Sequence, residues 1–361
     1  MKILFLNTNI GYGGASKMMA NVANILCHEH EVSFLTFRNN DIRQSLDNRI
    51  VVVHNKLYTN PHKLLELSGQ INALHKYIES NDIDVVIAFL HPSNYMAVLA
   101  AINTDAKVLL SERGDPYSRR KNGGVFVHFV ERIIQHADAY IFQSHEASLA
   151  YPIRCRLKSL IIPNALPDIK YPNYNPDLNN KRIICVARLE IIQKRQDVLI
   201  RAFALFCEHY NDYILQLVGD GPDLDIIKEC ADKCEVANRI EFLGDRKDVL
   251  DLLSKATMFV LCSDYEGLPN ALLEALAVGV PCISTDYSPG GVRSIIDDSN
   301  NGFIVPCNDE KALADKMIFL ADHLEVREKF SQNSQVVFER FNQKIIDQKW
   351  KTCIVRLVSG S

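Results

Sequence analysis

Residues Ser263–Glu274 read S-D-Y-E-G-L-P-N-A-L-L-E, a strand end followed by a tight corner and a helix start. The apolar run before them, 257–262, has the length and composition of a buried strand. Pro269 suits the first turn of a helix, where its missing N–H has no partner to lose, and Gly279 is typical of the position just past a helix end. We therefore predict a strand, a Gly-Leu-Pro corner and a helix over 270–278.

Two carboxylates, Glu266 and Glu274, lie eight positions apart around this corner. In an open α/β sheet such a corner faces the crevice beyond the carboxyl ends of the strands, where ligands bind. The two acids can therefore hold different parts of one polyhydroxylated ligand. The helix start between them, at Asn270 and Ala271, favours a phosphate because its N–H groups and dipole attract anions.

Strand-like and helix-like segments alternate along most of the chain, the pattern of a parallel, doubly wound sheet. The pattern stops once, at a stretch rich in Pro, Asn and Tyr, and then resumes. The predicted strands are Lys2–Thr8, Glu31–Phe37, Ile50–His54, Asp84–Phe89, Lys107–Ser111, Ala139–Gln143, Ser159–Ile162, Arg182–Arg188, Tyr213–Val218, Arg239–Phe242, Met258–Cys262, Pro281–Ser284 and Gly302–Val305.

The interruption predicts two domains. We expect a Rossmann-like domain over 1–165, a linker over 166–181 and a second Rossmann-like domain over 182–340, the two domains facing a central cleft. A final helix over 341–361 is expected to cross back to the first domain. The total of 361 residues suits two cores of ordinary size.

Composition indicates a reduced compartment and no membrane span. The ten cysteines include no C-x-x-C pair, so we expect free thiols in a cytosolic protein. No run approaches the roughly 18–20 apolar residues of a spanning helix. The apolar start meets Asn7 at once and is interpreted as a first strand, not a signal peptide.

Charge is uneven along the chain. The net charge is −4, yet residues 1–165 carry 17 Lys and Arg against 14 Asp and Glu, so the first half is the basic one. Five of its cations bracket the apolar run 125–130 and three more follow at 154–158, which suits an anionic membrane surface or a phosphate-bearing acceptor. A solvated loop followed by a core helix is the alternative. An acidic chain without a basic stripe of stacking aromatics argues against nucleic-acid binding. These cations are Arg113, Arg119, Arg120, Lys121, Arg132, Arg154, Arg156 and Lys158.

Two further segments are suited to phosphate. Residues 11–16 read G-Y-G-G-A-S between the first strand and helix, where glycines let backbone N–H groups approach an anion. Arg188 ends a predicted strand and Lys194 follows six positions later. Cations there would stabilise negative charge that develops on a leaving diphosphate. A tight β–α turn and two surface cations are the plain alternatives.

Taken together, E-x7-E around G-L-P-N-A, the G-G-A loop, the Arg…Lys pair and the G-x-G-P turn at Gly219 resemble the retaining glycosyltransferases of GT-B architecture in glycosyltransferase family 4. Two positions depart from the family pattern. Arg195 stands where many relatives have Gly, and Ser-Glu-Arg at 111–113 stands near a strand end where many have His. The second departure is similar to a subgroup that uses galactose-type or N-acetylgalactosamine-type donors in bacterial surface-polysaccharide assembly.

The resemblance implies retaining transfer of a hexose or N-acetylhexosamine from a UDP-sugar to a hydroxyl, with the acceptor on the first domain and the donor on the second. Arg188 and Lys194 would hold the diphosphate, Glu266 the donor sugar and Glu274 the ribose. Arg188, Lys194 and Glu266 are the expected catalytic residues. The other expected donor contacts are Gly13, Gly14, Gly219, Gly244, Arg246, Gly267, Leu268, Pro269, Asn270 and Ala271.

The acceptor is expected to be a glycan or a polyprenyl-diphosphate-linked glycan, with His91, Glu112 and Arg113 as candidate contacts. We expect no metal and no cofactor, because the D-x-D at 223–225 falls in the first turn of a predicted helix, where acids are ordinary. The expected location is the cytoplasm, with contact at the inner face of the membrane. A UDP-N-acetylhexosamine epimerase and a non-catalytic sugar-nucleotide-binding protein are the alternative functions.

Overall fold

The computed structural model describes residues 1–7, 14–37, 44–54, 63–122, 124–175 and 180–359. Contacts divide the chain into two units. The first consists of Met1–Asn164 with Lys344–Ser361, and the second of Ala165–Gln343. Each unit contains one parallel β-sheet with helices in its crossover connections. In the described part of the chain, no helix is both long and apolar enough to cross a membrane.

The first unit has a seven-stranded parallel sheet in the order β3-β2-β1-β4-β5-β6-β7. Its strands are β1 (Lys2–Leu6), β2 (Glu31–Thr36), β3 (Val51–His54), β4 (Val85–Phe89), β5 (Lys107–Ser111), β6 (Ala139–Phe142) and β7 (Ser159–Ile161). Its helices are α1 (Gly14–Leu26), α2 (Lys63–Ser80), α3 (Ser93–Ala100), α4 (Pro116–Asn122), α5 (Gly124–Ile134), α6 (His145–Leu149) and α7 (Ile153–Arg156).

The second unit has a six-stranded parallel sheet in the order β10-β9-β8-β11-β12-β13. Its strands are β8 (Arg182–Val186), β9 (Ile214–Val218), β10 (Ile240–Gly244), β11 (Met258–Leu261), β12 (Cys282–Thr285) and β13 (Gly302–Val305). Its helices are α8 (Ile191–Lys194), α9 (Gln196–Cys207), α10 (Leu224–Lys233), α11 (Val249–Ser254), α12 (Asn270–Val278), α13 (Glu310–Asp322), α14 (Leu324–Asn333) and α15 (Val336–Arg340).

The second sheet is buried on both faces, as a parallel sheet requires. Successive residues of β11 alternate between two hydrophobic clusters. Met258 and Val260 pack in the cluster that holds Phe203, while Phe259 and Leu261 pack in the opposite one. This explains why the strand reads as a continuous apolar run, because each face of the sheet needs its own apolar side chains.

The predicted strands are all present, with ends that differ by at most two residues. The Gly-Leu-Pro corner is also confirmed, since α12 spans Asn270–Val278 and Gly279 follows with a left-handed φ of 90°. β8 ends at Val186, so Arg188 lies two residues beyond the strand instead of at its end.

The chain that joins the two sheets packs on the second unit where it is described. Tyr174 N donates to Val278 O at 3.1 Å, and Asn175 N donates to Ser254 O at 3.1 Å. Leu166 is buried and forms a bridge with Asn342. No regular element forms over 165–175, in keeping with its prolines, and residues 176–179 lie outside the described part.

The last helix, α16 (Gln343–Ser359), packs within the first unit apart from its first residue. Trp350 of α16 is fully buried and stacks on Phe89 at the end of β4, with 5.9 Å between ring centroids. An aromatic pair of this kind adds to the area that it buries. The second unit therefore lies between two segments of the first in sequence.

Candidate active site

The second sheet has one point at which its strand order reverses. From β8 the chain builds outward to β9 and β10, and then β11 returns to the other side of β8. Ligands bind at such a switch point in open α/β sheets, because the loops that follow the two central strands separate there. The segments after β8 and β11 carry Arg188, Lys194 and Glu266, so the sheet brings these residue types to one edge.

Glu266 and Lys194 form an ion pair across this point. Lys194 Nζ lies 2.5 Å from Glu266 Oε1, and the side chains are 16% and 7% exposed, respectively. Ser263 Oγ donates to the same carboxylate oxygen at 2.7 Å, and Gln193 Nε2 lies 3.4 Å from the other one. A cation and a hydroxyl donor on one carboxylate hold it in one orientation. These contacts fix both side chains at the sheet edge.

Backbone contacts hold the loop that carries Glu266. Glu266 N donates to Ser288 O at 2.9 Å, and Ser288 N donates to Asp264 O at 3.0 Å. Thr285 Oγ1 donates to Ser263 O at 2.6 Å. The loops after β11 and β12 are therefore joined to each other, which makes the loop that presents Glu266 more rigid.

Arg195, the position where many relatives carry Gly, adopts the left-handed backbone region with φ 49° and ψ 42°. This conformation is costly for a residue with a Cβ, which explains why glycine suits the position. Here the guanidinium is held by Asp264 at 2.9 Å and Asp197 at 3.0 Å, and it also donates to Asn308. The departure from the family pattern thus has compensating ion pairs that link the Lys194 segment to the Glu266 loop.

Arg188 differs from Lys194 in its exposure. Its side chain is 66% exposed, and its closest acid is Glu190, with Nη1 to Oε2 at 3.5 Å. Surface pairs at that distance contribute little. Arg188 therefore presents a cation to solvent on the segment between β8 and Lys194, whereas Arg246 is matched by Asp248 at 2.7 Å and 2.8 Å.

The glycines after β9 are required by close backbone packing. Gly219 has φ 128°, and a Cβ there would lie 2.2 Å from Ala187 O. A Cβ at Gly221 would lie 2.2 Å from Leu189 O. This turn therefore packs directly on the segment that carries Arg188. Gly219 N also donates to Gly244 O at 2.9 Å, which brings the ends of β9 and β10 together.

The α12 start has the geometry expected of the Gly-Leu-Pro corner. Leu268 is buried in the core, and Pro269 precedes the helix with φ −72° and ψ 113°. Glu274 is half-buried on α12. Burial, together with the charge of Glu274, raises the pKa of Tyr171 to about 12, so that phenol stays protonated near this carboxylate. Gly267, Asn270 and Ala271 lie on the same corner.

The acids of the D-x-D segment are at a helix start, as predicted. Asp223 directly precedes α10, and its Oδ2 accepts from Ile191 N at 2.8 Å. The carboxylate thereby binds an N–H of the first turn of α8. This contact gives Asp223 a role in positioning the segment that ends at Lys194.

In the first unit, Glu112 belongs to a buried network. Its carboxylate accepts from Arg119 Nη1 at 2.5 Å, from the Tyr151 hydroxyl and from Gly114 N at 3.2 Å. Burial works to raise the pKa of Glu112, but the Arg119 charge and these hydrogen bonds outweigh it, and the pKa lies below its usual value. The hydrogen-bond donors to the Glu112 carboxylate therefore all belong to the first unit.

Arg113 is also buried, at 6% exposure. Its Nε donates to Ser111 Oγ at 2.8 Å, its Nη1 donates to Ile162 O at 3.1 Å, and its guanidinium lies 5.4 Å from the centroids of Phe89 and Trp350. Burial lowers the pKa of Arg113 to about 9. These contacts connect the end of β5 to α16 and to the chain after β7.

His91 follows β4 and precedes α3, close to the same network. Burial, with a smaller contribution from Arg119, lowers the pKa of His91 to about 4, so the imidazole is neutral at pH 7. Its Nε2 is buried without a hydrogen-bond partner among the described residues. Gly14 opens α1, while Gly13 and the rest of the glycine loop before it lie outside the described part of the chain.

Several of these partners were not predicted. Ser263 lies three positions before Glu266, but nothing in its identity indicated a bond to that carboxylate. Tyr151 and Arg119 lie 39 and 7 positions from Glu112. No spacing rule connects Tyr151 to that carboxylate. The role of Arg195 was visible only as a departure from the family pattern.

Two family profiles match the chain, one on each unit. Glycosyltransferase Family 4 matches residues 12–157, and Glycosyl transferases group 1 matches residues 169–337. Among curated proteins, GalNAc-alpha-(1->4)-GalNAc-alpha-(1->3)-diNAcBac-PP-undecaprenol alpha-1,4-N-acetyl-D-galactosaminyltransferase of Campylobacter jejuni is 26% identical over 363 residues, which cover 99% of both chains. An uncharacterized glycosyltransferase of Haemophilus influenzae is 26% identical over 97% of this chain and 99% of its own.

Solved structures share the fold over the whole chain. Anabaena HepE in complex with UDP-glucose has a TM-score of 0.83 at 20% identity and covers 98% of this chain and 99% of its own. Sucrose-phosphate synthase from Thermosynechococcus elongatus has a TM-score of 0.84 at 16% identity and covers 100% of both. The predicted fold class, GT-B with two parallel-sheet α/β domains, is confirmed. The two family profiles, which between them match both units, show that the chain belongs to glycosyltransferase family 4.

Proposed function

We propose that the protein is a retaining glycosyltransferase that moves a hexose or N-acetylhexosamine from a UDP-sugar to a hydroxyl of a glycan or lipid-linked glycan. The observation that carries this proposal is the Lys194–Glu266 pair at the switch point of the second sheet, with Arg188 exposed on the segment between β8 and Lys194. A cation that is held in place needs no reorganisation when charge develops on a leaving group. The site therefore suits departure of a diphosphate.

Each residue has a proposed role in donor binding. Arg188 and Lys194 bind the diphosphate, Glu274 accepts hydrogen bonds from the ribose, and Glu266 orients the donor sugar while it keeps Lys194 in position. The corner before α12 supports the nucleotide with its N–H groups. The remaining proposed donor contacts are Gly13, Gly14, Gly219, Gly244, Arg246, Gly267, Leu268, Pro269, Asn270 and Ala271.

The proposed reaction is a front-face displacement. The bond between the anomeric carbon and the diphosphate oxygen breaks, the acceptor oxygen bonds to the same face of that carbon, and the leaving phosphate takes the acceptor proton. Catalysis is then mainly positioning and charge stabilisation. No carboxylate nucleophile is assigned, because Glu266 is committed to Lys194 and Ser263. Arg188 and Lys194 supply the positive charge, so we propose a metal-independent reaction without a cofactor.

Relatives support the choice of substrates. The Campylobacter relative is named for transfer of N-acetylgalactosamine onto an undecaprenyl-diphosphate-linked glycan, and the Anabaena structure holds UDP-glucose. We propose the same classes here and a cytoplasmic location at the inner face of the membrane. His91 is a proposed acceptor contact whose Nε2 is buried without a hydrogen-bond partner among the described residues. Glu112 and Arg113 already have internal partners, so we propose that they shape the acceptor side.

A panel of nucleotide sugars tests the proposal. UDP-sugars should raise the thermal transition of the full chain, and GDP- or ADP-sugars should not. Product analysis with and without a lipid-extract acceptor then separates the functions. Transfer that needs the acceptor supports the proposal, conversion of the donor alone indicates an epimerase, and binding without turnover indicates a non-catalytic protein.

A further inference from the structure

A groove of about 540 Å³ lies in the first unit between the edge strand β7 and helix α16. Its apolar lining is aliphatic. It comprises Leu160 and Ile161 of β7, Ile162 directly after it, and Ile345 of α16. Leu160 is 41% exposed and Ile345 is 46% exposed. The groove therefore presents branched aliphatic side chains to solvent at a sheet edge, which calls for a covering partner.

All charged residues that line this groove are cations. They are Lys344, Lys349 and Arg356, with Gln348 and Thr352 as the polar remainder. Within the described part of the chain no carboxylate lines it. Lys349 and Arg356 are both exposed and are seven positions apart on α16, which places them on one side of the helix about 10 Å apart. The whole chain has a net charge of −4, so this bias is local.

The same combination continues on α7, which leads into β7. Ile153 is 59% exposed and Leu157 is 79% exposed. Arg154 and Lys158 are exposed beside them. The groove and α7 both adjoin β7, the edge strand of the first sheet, and we call their aliphatic and cationic side chains together the β7 surface.

We propose that the β7 surface binds an anionic phospholipid bilayer, with the aliphatic groove against lipid tails and headgroup phosphates at Lys349 and Arg356. A bilayer fits better than an acidic helix of a partner protein, because one helix would fill the groove and leave α7 uncovered. Aliphatic side chains with cations around them are the composition of interfacial membrane contacts. The inference deepens the membrane contact proposed above by naming its surface and its lipid charge.

The cations around α5, which the sequence also connected with a membrane, are weaker candidates for the membrane-binding surface. Arg113 is buried, Arg119 is 17% exposed and pairs with Glu112, and Arg120 pairs with Glu131 at 2.6 Å. Phe126 and Phe129 of α5 are exposed, at 54% and 61%. Lys121 and Arg132 are the exposed cations of this group on α4 and α5. They supply a matched control pair on the same unit.

Vesicle co-sedimentation of the full chain tests the proposal. The protein should bind vesicles with about one third phosphatidylglycerol and ignore pure phosphatidylcholine, since each cation near an anionic surface strengthens binding several-fold. Lys349→Gln with Arg356→Gln should weaken binding about 25-fold. Lys121→Gln with Arg132→Gln should leave it unchanged. Inorganic phosphate at the vesicle lipid concentration should not compete.

Each contrary result overturns the proposal. Wild-type binding by the Lys349/Arg356 variant, loss of binding only in the control pair, or full competition by inorganic phosphate would each do so. Thermal transitions of all variants show whether they are folded, and Ile345→Asn gives a second variant that keeps every charge and should weaken binding. Vesicle binding is read without any sugar transfer, so its failure is separate from failure of the proposed enzyme activity.

Discussion

Each unit has a largely buried charge pair beyond the carboxyl end of a parallel strand, after β5 in the first unit and after β11 in the second. In the first unit Glu112 pairs with Arg119, and in the second Glu266 pairs with Lys194. The two carboxylates are 4% and 7% exposed, and their cations are 17% and 16% exposed. Burial and pair geometry therefore do not distinguish the two clusters.

The two clusters differ in the exposure of a second arginine that is near each pair in sequence. Arg113 is buried and its side chain binds Ser111 and a backbone carbonyl, whereas the Arg188 side chain is 66% exposed. In the first cluster the Arg113 guanidinium is enclosed within the unit and contributes to packing. The second presents positive charge at the surface, where a ligand can reach it. Residue type at a strand end is thus insufficient to identify a binding site, because access must also be known.

The largest expected effect is on folding of the first unit. Glu112→Ala should lower the free energy of unfolding by about 3 kcal/mol, because it removes the nearest carboxylate of a largely buried arginine, Arg119, whose next acid, Glu131, lies 3.9 Å away. Chemical denaturation measures this. Glu229→Ala, which removes the exposed partner of Lys233, is the control and should change little. A loss below about 1 kcal/mol would mean that the Glu112 network is not structural.

The next effect is on turnover. Lys194→Ala should lower kcat by about 100- to 1000-fold, since it removes positive charge where the leaving diphosphate develops negative charge. It also leaves Glu266 unpaired, so stability should fall. Lys194→Met combined with Glu266→Gln should recover the thermal transition without recovering turnover. Steady-state kinetics that show near-normal kcat for Lys194→Ala would refute the proposed site.

The pH dependence of unfolding sharpens the description of the first cluster. The pKa of His91 is lowered from about 6.5 to about 4, so between these values the unfolded state binds a proton that the folded state does not. The free energy of unfolding should then fall with falling pH by up to about 1.4 kcal/mol per unit over that window. Urea titrations at pH 7 and pH 5 measure it. His91→Gln should flatten this part of the profile, and an unchanged slope would contradict the buried, neutral imidazole.

The smallest expected effect is that of Arg188→Gln, which tests whether this exposed cation binds a ligand or only contributes to stability. Arg188→Gln should lower kcat/KM about tenfold, because a charge-assisted contact to the donor is lost. Its free energy of unfolding should stay within about 0.5 kcal/mol of wild type, since the side chain is exposed. Arg293→Gln, at an exposed cation paired with Asp286, should leave both quantities nearly unchanged. If both variants behave alike, Arg188 is an ordinary surface cation and the contrast between the clusters disappears.

Strands, the helix over Asn270–Val278 and the left-handed Gly279 could be predicted from the amino-acid sequence, since they depend on local hydrophobic pattern and turn chemistry. The family could be predicted too, because its motifs are short segments that each follow a strand. The paired loops after β11 and β12 were not predictable in the same way. Their hydrogen bonds join backbone groups that become neighbours only when the strands align.

Ion-pair partners and exposure depended on the three-dimensional structure. Lys194 and Glu266 are 72 positions apart and meet because β11 returns beside β8. Arg113 and Arg188 both follow strands, yet one is enclosed by Phe89 and Trp350 and the other faces solvent. The sequence gives the chemical type of each charged side chain. Its partner, its desolvation and its access to a ligand are set by neighbours that only the folded chain brings together.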